Sequence, residues 1–316
     1  MTEKKWDVYI YGDVNIDLVI PGVKNLPRDG EEDEVKNMDT FVGGGAALFA
    51  LGVGTLGLNP VFQGKVGDDL YGSFIVDEFT KKNVDCSLLV RDSHQKTGIS
   101  ISFTNEKDRA FLTYRGTNGD LNILDVDISK VKQAKHIHIT GYEGSLKHES
   151  YLNLIKKVKE ETKASVSFDV GWDTTGEWSP EIYELFPYID VLFMNESEAL
   201  NYSRASTAKD AAEQFSQKCK TVVIKMGSSG ALAVSKNQYN TSEAFKVKAV
   251  DTTGAGDSFN AGFIYGFLKG YSIGECLITG NACGALNVTA YGGNTGFPNE
   301  DKLHQFIKDK KERVRK

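Results

Sequence analysis

A short glycine-rich stretch beside an acidic residue is the part of this sequence best suited to chemistry. Gly254, Ala255 and Gly256 precede Asp257, and a helix-length apolar stretch containing Phe263 follows. Small residues before a helix start let backbone N–H groups converge on an anion, and the helix dipole adds partial positive charge. A carboxylate beside such a site can accept the proton of an attacking hydroxyl. The stretch therefore indicates a phosphate site, with simple helix capping by Asp257 as the alternative.

Two polar side chains near the N-terminus could bind hydroxyl groups. Asn15 and Asp17 lie two residues apart after the first strand-like run, so in an extended chain both point to one face. Ordinary turn chemistry is the alternative for such a pair.

The elements that must position these residues follow an α/β rhythm. Strand-like apolar runs alternate with helical periodicity, which predicts βαβ units and a doubly wound, mostly parallel sheet covered on both faces. Strands are expected at residues 8–11, 61–66, 136–140, 165–170, 191–195 and 221–226. Helices are expected at residues 43–54, 69–83, 149–161, 180–186 and 208–218, and over a long final helical region.

Two segments, at about residues 17–40 and 97–115, interrupt this rhythm. The second alternates apolar residues before and after a polar turn at residues 105–108, as a hairpin does. Strands without crossover helices do not join a parallel sheet easily. We therefore expect one domain over residues 1–316, with these segments forming a small β-sheet lid.

Composition narrows the function classes. The 316 residues carry a formal net charge of −6, so no general basic field favours nucleic acid or an anionic membrane. Four cysteines without C-x-x-C spacing do not form a disulfide scaffold, and the first residues contain neither a signal-peptide core nor an apolar span. These features predict a reduced, cytoplasmic protein.

Several motifs resemble those of the pfkB, or ribokinase-like, carbohydrate kinases. Residues 251–262 resemble the family's second signature, and residues 41–72, with Gly43-Gly44-Gly45, resemble the first. The resemblance covers nearly the whole chain. It implies a ribokinase-like fold and an enzyme that uses ATP and Mg²⁺ to phosphorylate a hydroxymethyl group on a sugar or sugar-like molecule.

The resemblance also implies roles for individual residues. Asp257 corresponds to the catalytic base, and the amides of Gly254, Ala255, Gly256 and Asp257 would hold the transferring phosphoryl group. The substrate would contact Asn15, Asp17, Gly43, Gly44, Gly45, Arg115 and Glu143. For Arg115 and Glu143 the alternative is a solvated surface charge.

On the nucleotide side, the family pattern implies contacts from Asn195, Lys225, Gly227, Ser228, Gly230, Thr253 and Asn281. Glu198 would organise Mg²⁺ through water, and Asp251, Thr253 and Gly293 correspond to a monovalent-cation site, for K⁺, in some members. The structural alternatives are an N-cap at Asn195 and a β-hairpin turn between Lys225 and Gly230.

Departures from the family pattern leave the substrate open. Leu48 stands where the family often has Asn, which removes a hydroxyl contact. Residues 169–173 match only in part the D-x-N-x-R pattern of ketodeoxygluconate and fructose kinases, since Gly171 and Asp173 replace its polar and basic members, so a carboxylated sugar is disfavoured. A nucleoside kinase, a sugar-phosphate kinase and a non-catalytic ligand sensor remain alternatives. Pairing of two copies through the lid is a further expectation from the family.

Two other patterns are rejected as sites. Gly52-x-Gly54-x-x-Gly57 follows an apparent helix and precedes a strand, the reverse of a dinucleotide-binding turn. His136 and His138 share a strand face but have no evident third metal ligand, so buried strand histidines are expected.

Overall fold

The strands form two sheets in the structure, a computed structural model that describes residues 4–23, 28–104 and 109–314. The large sheet has nine strands and the small sheet four. In chain order the strands are β1 (Trp6–Tyr11), β2 (Asn15–Pro21), β3 (Asp39–Gly43), β4 (Pro60–Gly67), β5 (Asp85–Asp92), β6 (Gly98–Thr104), β7 (Arg109–Tyr114), β8 (Ala134–Thr140), β9 (Ser165–Asp169), β10 (Val191–Asn195), β11 (Thr221–Lys225), β12 (Ala231–Ser235) and β13 (Gln238–Ser242).

The large sheet has the strand order β13-β12-β11-β10-β9-β8-β1-β4-β5. Strands from β11 to β5 in this order run parallel, and β12 and β13 are antiparallel additions at one edge. The strands β1, β8, β9, β10 and β11 are parallel neighbours, so their carboxyl ends lie side by side at the same end of the sheet. Crevices just beyond the carboxyl ends of the strands are the usual ligand sites of open α/β sheets.

Helices cover both faces of the large sheet. On β1, Val8 and Ile10 pack into one core while Tyr9 and Tyr11 pack into the other, since alternate side chains point to opposite faces. The helices are α1 (Gly45–Thr55), α2 (Leu70–Lys81), α3 (Ile128–Val131), α4 (His148–Glu161), α5 (Glu196–Ser203), α6 (Ala208–Ser216), α7 (Ala255–Leu268), α8 (Ile273–Asn287) and α9 (Glu300–Val314). The face of Val8 is covered by α1, α2, α7, α8 and α9, and the opposite face by α3, α4, α5 and α6.

The small sheet has the order β3-β2-β6-β7 and comes from the two segments that interrupt the α/β rhythm. β2 and β6 pair in parallel, while β3 and β7 pair antiparallel at the edges. The expected separate β layer is therefore confirmed, although β2 already begins at Asn15 and β3 continues to Gly43. The expected turn at residues 105–108 and part of the first lid segment, residues 24–27, lie outside the described residues.

One expected α-helix is wrong. Residues 180–186 form a short 3₁₀ helix at Pro180–Glu184, and a second follows at Phe186–Tyr188. Pro187 has no backbone N–H to donate and disfavours the α conformation at Phe186, so an α-helix cannot continue through this segment. The final helical region is three helices, and the first of them is followed by Gly270 with a left-handed φ of 80°.

The described part of the chain contains no helix that is both long and apolar enough to cross a membrane. All four cysteines are free thiols.

Candidate active site

The start of α7 has the geometry of an anion site. Gly254 is its N-cap, with a left-handed φ of 69°, and a Cβ at this position would overlap the carbonyl oxygen of Gly293. Ser258 N donates to Gly254 O at 2.9 Å, whereas Ala255 N donates to Thr252 O at 3.3 Å. The first-turn amides of Gly256 and Asp257 have no acceptor within the helix, so they are the donors best placed for an anion.

Two cavities meet at this helix start. The first, of about 400 Å³, is lined by Asp257, and the second, of about 640 Å³, is lined by Ala255 and Gly256. Lys225, at the carboxyl end of β11, lines both. A group bound in one cavity therefore lies next to a group bound in the other, across the first turn of α7.

The surroundings of Asp257 raise its pKa to about 7. Burial is the main cause, the negative charge of Asp169 adds to it, and the positive charge of Lys225 opposes it. Asp13 and Glu198 contribute smaller increases. A carboxyl group that titrates near neutrality is well matched to proton abstraction from a hydroxyl.

Lys225 forms a buried ion pair with Asp169. Its Nζ donates to Asp169 Oδ2 at 2.7 Å, and Asn260 Nδ2 donates to the same oxygen. Burial alone would raise the pKa of Asp169, but the attraction and hydrogen bond of Lys225 hold it below its ordinary value. Lys225 Nζ also lies 3.5 Å from an ideal Cβ on Gly256, so the ammonium group faces the first turn of α7.

Asn195 and Glu198 form a capping box at the start of α5. Asn195 N donates to Glu198 Oε2 at 2.8 Å, and Glu198 N donates to Asn195 Oδ1 at 2.8 Å. Burial, followed by the charge of Asp169, raises the pKa of Glu198 to about 7. Asn195 lines the second cavity and Glu198 lines the first. The two residues therefore cap α5, as the structural alternative expects, and each also borders one cavity.

The donors at the cavity junction fit a sparsely held Mg²⁺. Among the residues that the structure describes, no group of three His, Cys, Asp or Glu side chains could enclose a metal ion. Mg²⁺ bound to nucleotide phosphates typically takes one or two protein carboxylates and keeps several waters. The carboxylate of Glu198, in the first cavity with Asp169, provides a donor set of that kind.

The second cavity brings together most of the residues expected to bind a nucleotide. Six of the seven line it, namely Asn195, Lys225, Gly227, Ser228, Gly230 and Asn281, while Thr253 is replaced in the lining by Thr252. Lys225 and Gly230 flank the turn between β11 and β12, as the hairpin alternative requires. Asn281 Nδ2 donates to Ser242 O at 2.9 Å and so fastens the cavity wall.

The expected substrate residues divide into two groups. Gly45, Arg115 and Glu143 line the first cavity, where Arg115 Nη2 lies 4.0 Å from Glu143 Oε1. Arg115 has 66% of its side chain exposed, so its charge is also largely solvated, as the surface-charge alternative expects.

The remaining group, Asn15, Asp17, Gly43 and Gly44, is not part of the first-cavity lining. Asn15 Nδ2 donates to Asp17 Oδ1 at 2.8 Å, and burial raises the pKa of Asp17 to about 6. A Cβ on Gly43 would overlap the Asp17 carboxylate, so the absence of a side chain there makes room for Asp17.

The expected cation residues lie together behind the start of α7. Asp251 Oδ1 accepts hydrogen bonds from Thr253 N and Oγ1 at 2.9 and 2.8 Å, and Asp251 Oδ2 accepts from Gly292 N at 3.1 Å. Gly293 O lies against Gly254. The Asp251 carboxylate therefore orders the loop on which α7 begins.

Comparison with known proteins settles the family. The sequence profile of the pfkB family carbohydrate kinases matches residues 5–300. The chain belongs to the pfkB family. As a pfkB-family carbohydrate kinase it is a phosphotransferase acting on an alcohol group, and the family expected from its motifs is confirmed.

Relatives extend the likeness over the whole fold. A 5-dehydro-2-deoxygluconokinase from Clostridium perfringens is 28% identical, covering 98% of this chain and 95% of the relative. The ribokinase of Thermotoga maritima is 27% identical with a TM-score of 0.80, covering 96% and 99% of the two chains. Arabidopsis thaliana ribokinase, solved with ribose and ATP, is 23% identical with a TM-score of 0.84 and the same coverage. The ribokinase-like fold is thereby confirmed.

Asp13, Asp169 and Trp172 also line the first cavity of this pfkB-family kinase, although the sequence motifs assign none of them a role. Asp13 accepts from Gly45 N at 3.2 Å and Ala46 N at 3.1 Å at the start of α1, and burial raises its pKa. Asp13 and Asp169 follow or end parallel strands, a position that could have identified them. Trp172 lies in an irregular loop, and the partial D-x-N-x-R match around it gives no role to this position.

The two rejected patterns are explained by the fold. Gly52 and Gly54 lie inside α1, against Ala261 and Lys82, so they serve helix packing. His136 and His138 are buried on β8 and hydrogen-bonded to Ser167 of β9, and burial lowers the pKa of each to about 3.

Proposed function

We propose that this pfkB-family kinase transfers the γ-phosphoryl group of ATP to a hydroxymethyl group of a sugar, with Asp257 as the general base. One observation carries the proposal: the first turn of α7 separates two cavities, and Asp257 faces one while Gly256 faces the other. Phosphoryl transfer needs an acceptor and a donor side by side with charge stabilisation between them, and two cavities that meet at a helix N-terminus support that reaction.

In the proposed reaction the sugar occupies the first cavity with its hydroxyl facing Asp257. The carboxylate accepts the hydroxyl proton, the sugar oxygen forms a bond to the γ-phosphorus, and the bond between that phosphorus and the β,γ-bridging oxygen breaks. ADP is the leaving group. The amides of Gly256 and Asp257 and the ammonium of Lys225 stabilise the charge on the transferring group.

The second cavity is the proposed ATP site, with contacts from the lining residues Asn195, Lys225, Gly227, Ser228, Gly230 and Asn281, and from Thr253 beside the lining residue Thr252. Glu198 would hold Mg²⁺ through water, and the ion would neutralise the β- and γ-phosphates. Asp251, Thr253 and Gly293 form the proposed K⁺ site. The ATP present in the similarly folded Arabidopsis ribokinase supports this nucleotide.

On the acceptor side, Gly45, Arg115 and Glu143 contact the sugar in the first cavity. Asn15, Asp17, Gly43 and Gly44 lie where the lid meets α1, and we propose that they reach the sugar when the lid closes. Closure would exclude water and suppress ATP hydrolysis. The lid and the large sheet then work as one kinase domain.

An acidic or phosphorylated sugar is the second candidate substrate, because Arg115 lines the first cavity. The name of the Clostridium relative also points to a sugar acid. In this chain Asp173, which replaces the basic residue of the D-x-N-x-R pattern, instead accepts hydrogen bonds from Thr175 and Trp178. A neutral sugar is therefore proposed first.

The deciding experiment measures ADP release across a panel of neutral sugars, sugar acids, sugar phosphates and nucleosides. Asp257→Asn should retain ATP binding, while kcat falls about 10²–10⁴-fold, the usual contribution of a general base. Asp210→Asn is the matched control, because Asp210 also lies in the first turn of a helix, α6, and lines neither cavity. Equal turnover of the two variants would leave Asp257 as a helix cap and contradict the proposal.

A further inference from the structure

A large aromatic side chain is left exposed inside the first cavity. Trp172 lines this cavity and is 60% exposed. An indole ring carries a large apolar surface, and leaving it in contact with water forgoes the stabilisation that burial would give. A ligand that covers the ring would recover that stabilisation.

The loop around Trp172 is held in place by its own hydrogen bonds. Asp173 is buried and accepts from Thr175 N at 2.8 Å, from Thr175 Oγ1 at 2.7 Å and from Trp178 N at 2.7 Å. These bonds fix the turn that immediately follows Trp172. The indole is therefore attached to an ordered segment.

A second aromatic ring supports Trp172 from the core. Trp178 packs edge-to-face with Trp172, with ring centroids 5.0 Å apart, and edge-to-face with Tyr202 at the same distance. Trp178 and Tyr202 are both buried. This series of rings holds Trp172 against rotation while its remaining surface stays free for a ligand.

The rest of the cavity lining indicates which ligand suits this ring. Asp13 and Asp257 are carboxylates, which accept hydrogen bonds from hydroxyl groups. A cyclic sugar carries hydroxyls around its rim and C–H groups on its faces, so it can satisfy the carboxylates and cover the indole at once. An open-chain polyol has no fixed apolar face of this kind.

We propose that Trp172 is the stacking platform for the ring of the sugar, and that the substrate is bound as a furanose or pyranose. The inference rests on the proposed kinase function and assigns a specificity-determining residue to it. Enzymes that take up a single nucleobase stack it between aromatic or apolar side chains, and Trp172 is the one strongly exposed aromatic residue in the described lining. A sugar ring therefore fits better than a base.

The test compares Trp172→Phe, Trp172→Leu and Trp172→Ala with the wild type, using the sugar of highest turnover among D-ribose, D-fructose and D-glucose. Removal of the aromatic face should raise KM for the sugar about tenfold in the Ala and Leu variants, because uniform binding is lost. We expect kcat and the KM for ATP to stay within about twofold, and Phe should restore most of the affinity. An unchanged KM in Trp172→Ala, or Leu performing as well as Phe, would overturn the inference.

Intrinsic fluorescence gives a second readout that does not depend on turnover. The chain has three tryptophans, of which Trp6 is buried beside Asp85. The same sugar should quench the wild type and a Trp6→Phe control but not Trp172→Phe. Stronger quenching and turnover with adenosine than with ribose would replace the sugar ring by a base and overturn the proposal. Absence of kinase activity in the wild type with sugar quenching retained would refute the proposed function alone.

Discussion

Asp257 lies among charges of both signs, and the balance of those charges sets the pH range in which it can act as a base. Its pKa of about 7 arises from burial and from Asp169, with Lys225 acting in the opposite direction and Glu198 adding a smaller increase. A general base must be deprotonated, so kcat/KM for the sugar should rise with pH through about 7.

The part of the pH profile in which kcat/KM rises with pH is its acid limb. Two substitutions should move this limb in opposite directions along the pH axis. Lys225→Met removes the charge that lowers the pKa of Asp257, so the limb should move to higher pH. Glu198→Gln removes a charge that raises this pKa, so the limb should move to lower pH, and by less than in Lys225→Met because Glu198 has the smaller influence. The measurement is kcat/KM for the sugar from pH 5 to 9 at saturating MgATP.

The direction of each change, and not the loss of rate, decides this prediction. Both residues line the proposed sites, so both variants will be slow. Lys225→Arg keeps the positive charge and should leave the limb in place. Movement of the Met and Gln variants in the same direction would show that a group other than Asp257 controls the profile.

Residues inside continuous motifs could be placed from the sequence, whereas residues joined only by the fold could not. Asn195 and Glu198 lie one helical turn apart, and local geometry alone predicts their pairing. The meeting of Asp13 with Asp257 depends on the order of strands in the sheet, and no local pattern contains that order. The position of Trp172 in the cavity depends on hydrogen bonds within its loop, and these bonds are seen only in the folded structure.

At the scale of single elements, the loop that starts α7 has little freedom to change. Gly254 combines a left-handed φ with contact to Gly293 O, and Leu48 Cδ1 would lie 3.1 Å from an added Cβ. The family's frequent Asn is replaced by Leu48, and here that side chain packs beneath the anion loop. The residue type at position 48 predicts the lost hydroxyl contact, but this packing follows only from the fold.

Gly254→Ala should therefore displace the loop and abolish measurable kinase activity. Gly270, just after α7, is the matched control because it also has a left-handed φ, 80°, but a Cβ there would meet nothing within 4 Å. Gly270→Ala should cost only the backbone penalty, about 1–2 kcal/mol, with kcat unchanged. Thermal unfolding and ADP release measure the two effects, and equal behaviour of the two variants would contradict the steric argument.

The secondary structure expected from the sequence is wrong where a proline changes the type of helix. Most predicted strands and helices are present within a few residues, because long buried strands and amphipathic helices carry strong periodic signals. Residues 180–188 have helical periodicity but contain Pro187, and the chain adopts two short 3₁₀ helices there. The competing principle is the lost N–H of proline, which outweighs the apolar spacing.

At the scale of the whole molecule, the lid joins the site through its last strand. In the described part of the chain β7 is an edge strand of the small sheet, paired with β6, and Arg115 follows it directly. Arg115 reaches Glu143, which follows β8 of the large sheet. Interruption of the α/β rhythm predicts this lid from the sequence, but the contact across the two sheets follows only from their packing.

The exposed side chains of β7 predict that a second copy of the chain covers the lid. Phe111, Leu112 and Tyr114 are 59%, 57% and 52% exposed on this edge strand, and an uncovered apolar edge favours pairing with another strand. We expect a dimer in sedimentation equilibrium at micromolar concentrations. Leu112→Lys with Tyr114→Lys should give a monomer because two charges oppose burial of the edge.

Tyr239→Lys is the control for that experiment, because Tyr239 is an exposed aromatic residue on β13, the edge strand of the large sheet. Its substitution should leave the dimer intact. Since Arg115 directly follows β7, loss of the dimer should also raise KM for the sugar while leaving the KM for ATP unchanged. A wild-type chain that stays monomeric at all concentrations, or a dimer lost in Tyr239→Lys and retained in the lid variant, would show that the lid edge is not the contact surface.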